Sequence, residues 1–128
     1  MLKLTINDVE YSFNFNIAFM RTMNKQHKEE AKEIFGENAR ANAGLAVAMM
    51  AVFIDDDIDE LINILYEANS GMDPRIKKGT LEAYIDDDAT DMEGLVAEVK
   101  NSLLSRNATK KEMQKVENLL EDLKKNEE

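Results

Sequence analysis

NARANAGLAVAMMAVFI, residues 38–54, is dense in alanine, and its larger apolar residues Leu45, Val47, Met49, Met50, Val52 and Phe53 fall on nearly every side of the helix it predicts. A helix that is apolar all round must be enclosed by other elements. Its small residues let those neighbours approach closely. The uncharged run from Ala41 to Ile54 is too short for a membrane span, which needs ~20 apolar residues. This segment reads as the hub of a helical core, and the rest of the chain reads as what surrounds it.

Upstream, the first fifteen residues alternate. Leu2, Leu4 and Ile6 share one face; Asn7-Asp8 follows; then Val9, Tyr11, Phe13 and Phe15 share a face again. Two period-two runs around a residue pair that tolerates positive φ predict a β-hairpin. A lone hairpin is marginal in water, so its apolar face must dock on the helices or on a neighbouring subunit. From Asn16 the spacing turns helical: Ile17, Met20 and Met23 recur at three-residue steps with Asn16 as cap. Lys28 to Phe35 reads as a short charged helix stopped near Gly36.

Downstream, three pairs match capping-box spacing: Asp57 with Glu60, Thr90 with Glu93, and Thr109 with Glu112. They introduce the stripes Ile58-Leu61-Ile62-Leu65, Met92-Leu95-Val96-Val99-Leu103 and Met113-Val116-Leu120-Leu123. A further short helix starts at Thr80, and the Ile58 stripe before it ends near Gly71 and Pro74. The expectation is a mainly α protein with an N-terminal β-hairpin (α+β), a single domain over residues 1–128. The hairpin takes 1–15, about six helices take 16–125, and 126–128 form a frayed tail.

Composition narrows the function. The 128 residues carry 16 Lys+Arg against 26 Asp+Glu, a formal charge of −10, divided evenly between the two halves. This disfavours electrostatic binding to nucleic acid or anionic lipid. Cysteine is absent and histidine occurs once, excluding disulfides, thiolate chemistry and paired-histidine metal sites. The N-terminus has charges at Lys3, Asp8 and Glu10 and no long apolar run, unlike a signal peptide.

The acidic runs Asp55-Asp56-Asp57 and Asp86-Asp87-Asp88 invite a calcium reading. An EF-hand loop needs Gly at its sixth position and Glu at its twelfth. Counted from Asp86 these are Asp91 and Ala97; counted from Asp55 they are Glu60 and Tyr66. Both runs fit better as charge placed before helix N-termini. His27, in the polar run NKQHKEE, reads as a solvated surface histidine. No phosphate-binding glycine motif or HExxH is present, and Asn107-Ala108-Thr109 reads as the approach to the last helix. No enzyme activity, cofactor or metal is expected.

Two apolar sets remain as candidate client or self-association surfaces: Tyr11, Phe13 and Phe15 on the hairpin, and Met113, Val116, Leu120 and Leu123 on the last helix. Each is also explicable as core. The eight methionines suit either irregular core gaps or an adaptable binding surface.

Two segments carry a resemblance. LTINDVEYSFNFNIAFMRTMNK resembles the opening of the tail assembly chaperones of siphovirus-type bacteriophages, whose tails are long and non-contractile. Leu4, Ile6, Asn7, Tyr11, Phe13, Phe15, Phe19 and Arg21 stand in that family's pattern. GTLEAYIDDDATDMEGLVAEVKNSLLSRNATKK is similar to its second recognisable part, an L-x-x-x-I-D/E-D helix, an amphipathic helix and a polar close. The resemblance implies a non-catalytic chaperone of the host bacterial cytoplasm. It would bind and solubilise the tape-measure protein during tail-tube polymerisation and be absent from the finished virion. It further implies recruitment of the tail-tube protein through a longer, frameshifted form; since one small domain cannot cover so long a client, several copies and their self-association are expected. From the residues alone a second reading stands beside it: an acidic mimic of nucleic acid that blocks a DNA-binding partner. A mimic's binding should weaken steeply with salt; binding through apolar faces should not.

Overall fold

The computed structural model describes residues 1–127; Glu128, the last residue of the expected tail, lies outside them. Strands β1 (Leu2–Ile6) and β2 (Val9–Phe13) form an antiparallel hairpin with Leu2 opposite Phe13, Leu4 opposite Tyr11 and Ile6 opposite Val9. Asn7 and Asp8 have φ of 53° and 64°. Positive φ at both central residues gives the turn the twist that matches paired strands. Leu2, Leu4 and Ile6 are buried, while on β2 burial fades towards the turn, from Phe13 through half-buried Tyr11 to exposed Val9.

Seven helices follow among the described residues, where the sequence suggests about six: α1 (Ile17–Gln26), α2 (Lys28–Phe35), α3 (Ala43–Phe53), α4 (Ile58–Ala68), α5 (Lys78–Asp86), α6 (Met92–Ser105) and α7 (Lys110–Glu127). Helix α3 is the hub. Nine of its residues, including the run Ala43–Met49, are buried, and α1, α2, α4 and α7 pack around it. It begins at Ala43 rather than Asn38. Residues 36–42 form a connecting segment, opened by Gly36 at φ 93°, a positive φ with extended ψ that glycine alone adopts without strain.

The approach of α1 to α3 is a backbone contact. A Cβ on Gly44 would lie 2.6 Å from Asn24 Cα and 2.7 Å from Asn24 O. Asn24 then does for α3 what the helix's own N-cap does not. Asn42 makes no capping bond with its side chain; instead the Leu45 amide donates to Asn24 Oδ1 at 2.8 Å, and Asn24 Nδ2 donates to Asn42 Oδ1 at 3.2 Å.

The hairpin docks through β1 onto α6 and is tied to the end of α4. The Asn14 amide donates to the Ala68 carbonyl at 2.8 Å. Fully buried Asn69 donates from Nδ2 to the Ser12 carbonyl at 2.9 Å and accepts from the Ile76 amide at 2.7 Å. One side chain thereby joins the hairpin to the α4–α5 connection. Arg75 closes that corner, its guanidinium 3.9 Å from the Tyr66 ring centroid.

The expected caps hold in part. Asn16 accepts from the Phe19 amide at 3.0 Å and Asp57 from the Glu60 amide at 3.1 Å. At α6 the cap is Asp91, which accepts from the Gly94 amide at 3.0 Å, while Thr90 Oγ1 donates to the Tyr84 carbonyl at 2.5 Å. Buried Thr109 likewise turns away from α7, donating to the Leu103 carbonyl at 2.6 Å. A carboxylate accepts without competing donor demands; a threonine hydroxyl beside an unpaired carbonyl can donate to it instead. The expected frayed tail is helical through Glu127.

Candidate binding groove

Glu60 and Glu112, expected to reach back and complete capping boxes, are both buried and hold tertiary ion pairs instead. His27 Nε2 lies 2.6 Å from Glu60 Oε1, and Nδ1 lies 3.3 Å from Glu30 Oε1. This corrects the surface reading of His27: it is buried at the junction of α1 and α2, where Glu60 from α4 stabilises its charge. The Glu60 carboxylate beside Nε2 raises its pKa, burial opposes, and Glu30 adds to the rise. Arg40 grips Glu112 with both guanidinium nitrogens, Nη2 at 2.9 Å from Oε2. Burial pushes the Glu112 pKa up, but the Arg40 fork and Lys115 outweigh it and hold it below the usual carboxylate value. The connection from α1 to α3 is thus pinned at both ends. Among the described residues no three His, Asp or Glu side chains are grouped as a metal ion would require.

The seven candidate surface residues separate by burial. Phe13 and Phe15 are 0% and 1% exposed, and Phe15 packs edge-on against Phe19 with centroids 5.0 Å apart. Met113 and Val116 are likewise buried, at 1% and 3%. None of these four reaches the surface of the folded chain. Tyr11 and Leu120 are half-buried, and Leu123 is exposed. The methionines divide similarly: Met23, Met49 and Met113 fill the core, while Met20, Met50 and Met92 lie at its edge.

Leu120 belongs to a groove of about 520 Å³. Its walls are the C-terminal end of α3 (Val52, Phe53), the first turn of α4 (Ile58, Leu61), the N-terminal half of α6 (Met92, Val96, Ala97) and Leu120 of α7. The arrangement follows from the helix directions. Arg40, just before α3, pairs with Glu112 in the first turn of α7, and Val52 and Phe53 share the groove with Leu120 two turns further on. The two helices therefore run alongside in the same sense. The caps Asp57 and Asp91 start α4 and α6 at this same edge of the hub.

Ile58 is 55% exposed although it opens the buried stripe of α4. The sequence signal was present: an isoleucine at the first helical position, between Asp57 and Asp59, has no covering element in its own segment. A shallower depression of about 460 Å³ lies on its other side, lined by Ile62 and Ile85. Leu123, 41% exposed, continues the apolar surface along α7 past Leu120, and Leu119 beside it is equally exposed. A separate exposed pair, Ile34 at 58% and Phe35 at 47%, ends α2.

The groove offers apolar walls and a charged rim, suited to covering another chain's apolar side chains. No helix of the described residues is long and apolar enough to cross a membrane. No curated protein and no solved structure gives a significant match to the chain. The profile of a family described as phage tail assembly chaperone protein, TAC, matches residues 3–118. Because that match runs from the hairpin through all the helices to the middle of α7, the chain belongs to the phage tail assembly chaperone family.

Proposed function

We propose that this chaperone binds the tape-measure protein of its phage and keeps it soluble in the host cytoplasm while tail-tube subunits polymerise, without catalysis and without remaining in the virion. The observation that carries the reading, beyond family membership, is the groove between α3, α4, α6 and α7. It is an apolar concavity at the C-terminal end of the hub helix, with exposed Ile58 in its wall. Grooves of this kind take amphipathic helices through residues at i, i+3, i+4 and i+7. The net charge of −10 would keep the assembly dispersed while the client's apolar surface is covered.

A domain of this size covers only a short part of a long client, so several copies act on one tape-measure chain. Leu120 and Leu123 remain the client-facing candidates on α7, with Tyr11 on the hairpin. Contacts with tail-tube subunits, through a longer frameshifted form, complete the proposed partnership. The acidic-mimic alternative has no comparable support, because the feature the core leaves over is apolar.

Co-expression with the tape-measure protein of the same phage tests the proposal, read by solubility and by size exclusion with light scattering at low salt and at about 0.5 M salt, where charge–charge attraction is screened within a few ångströms. The expected result is a soluble complex holding several copies of this chain at both salts. A client that precipitates, or a complex that falls apart on adding salt, overturns it.

A further inference from the structure

The groove's rim says which helices it accepts. Four charged residues line it: Asp56, Asp57, Glu93 and Lys100. Lys100 is already engaged, its Nζ 3.4 Å from Glu117 Oε2, so three carboxylates line the groove without a partner cation among the described residues, that of Asp57 also capping α4. Two helix N-termini, of α4 and α6, lie beneath them. Each offsets roughly half a charge, which leaves the rim clearly negative. A second copy of this chain, at −10 overall, would be repelled by that rim, and so would an acidic client helix.

We infer that the α3–α4–α6–α7 groove docks one amphipathic helix of the client, selected by Lys or Arg residues flanking its apolar stripe. The inference rests on the chaperone reading and adds a site and a selectivity to it. Apolar burial holds the helix, and the rim chooses among helices of equal apolarity. Charge of this kind contributes specificity and encounter rate more than affinity. Ile58 stands between the groove and the neighbouring depression, so it is the residue a docked helix would cover. Leu120 and exposed Leu123 extend the wall along α7.

The probes are two synthetic helices of about 20 residues, long enough to form in isolation. They share a leucine pattern at i, i+3, i+4 and i+7 and differ only in carrying Lys or Glu beside it. Labelled peptides are titrated with the full chain by fluorescence anisotropy. The Lys-flanked peptide is expected to bind at least about tenfold more tightly at low salt, with the gap narrowing at about 0.5 M. Ile58→Asn should weaken it about tenfold, and Ile34→Asn, on equally exposed α2, should not. The double variant Asp56→Asn/Glu93→Gln should abolish the preference between peptides; Asn suits position 56, where φ is 54°.

Equal affinity for the two peptides, or equal loss from the Ile58 and Ile34 variants, overturns the inference. The same variants in the co-expression experiment separate the two claims. If the tape-measure protein is solubilised and Ile58→Asn leaves that complex intact, the groove is overturned and the chaperone reading stands. If the peptides discriminate as expected but the tape-measure protein stays insoluble, the chaperone reading falls and the groove stands.

Discussion

The two ends of α3 are built in opposite ways. At its N-terminal end Gly44 lies against the backbone of α1, Asn24 caps the helix from outside, and Arg40 clamps Glu112 on α7. At its C-terminal end Val52 and Phe53 open onto a groove walled by α4, α6 and Leu120. The same helix is locked at one end and borders an open groove at the other. The rigid end fixes the direction in which α7 leaves. That direction carries Leu120 to the open end, so the groove's shape depends on contacts two turns away. Changes at the closed end should cost stability, and changes at the open end should cost binding.

The largest effect is expected where no side chain can give way. Gly44→Ala sets a methyl group 2.6 Å from Asn24 Cα, well inside contact distance, and α1 and α3 must separate. Overpacking of this kind costs about 3 kcal/mol, and the separation also stretches the Asn24 cap. Urea denaturation measures it. A loss below about 1 kcal/mol would mean that the α1–α3 contact is loose, and the closed end would lose its meaning.

The ion pair gives a second, asymmetric pair of effects. Arg40→Ala leaves Glu112 buried with only Lys115, 3.5 Å away and itself exposed. Stranding a buried carboxylate should cost about 2 kcal/mol, below the ~3–5 kcal/mol of a fully buried pair because Arg40 is half exposed. Glu112→Gln leaves a half-exposed guanidinium that water can solvate, and should cost about half as much. Because its folded pKa is lowered, Glu112 contributes stability above the ordinary carboxylate value that is lost on acidification through the folded one. The Glu112→Gln variant should therefore lose less of its stability on acidification than the parent, read from urea midpoints at pH 6 and pH 4 (about half a unit below the ordinary carboxylate pKa). Equal costs for the two substitutions would show that Glu112 is not desolvated.

The open end was less legible in the sequence than the closed one, and both less than the hairpin. Asn7-Asp8 between alternating runs is a local signal, and local signals read well. The all-round apolarity within residues 38–54 identified the hub because burial there is required by composition alone. What stayed hidden was non-local. Asn24 caps a helix that begins nineteen residues later, and Asn69 binds a hairpin carbonyl 57 residues away. Glu60 and Glu112 sat at capping-box spacing but were claimed by His27 and Arg40. Spacing records what a side chain can reach within its own helix, and a buried partner on another helix wins when burial makes an unpaired charge costly. The same limit applies to the candidate surface. Phe13, Met113 and Val116 have the pattern of an exposed stripe and of a core stripe alike, and only packing distinguishes them.

His27 sharpens the comparison by titration. Its pKa is raised above the ordinary 6.5, chiefly by Glu60. The charged form is therefore bound more strongly in the folded state than in the unfolded one. That contribution is complete below pH 6.5 and disappears as pH rises through the raised value. The urea midpoint should fall as pH rises from 6.5 through that raised value. His27→Gln should lower the midpoint at acid pH and flatten its pH dependence. A wild-type midpoint that is level across this range would mean that the His27–Glu60 contact does not depend on charge.

At the open end the expected stability change is close to nothing, and that is what makes it informative. Ile58 is 55% exposed at the first position of α4, and the cap beneath it is made by Asp57. Ile58→Asn therefore removes little buried apolar area and breaks no hydrogen bond, so the unfolding free energy should move by no more than about 0.5 kcal/mol. An isoleucine held in water in that position gains the fold little, which leaves binding as the property it can affect. A loss above about 1.5 kcal/mol would show that Ile58 is buried for most of the time, that the groove closes over it, and that the two ends of α3 differ less than their contacts suggest.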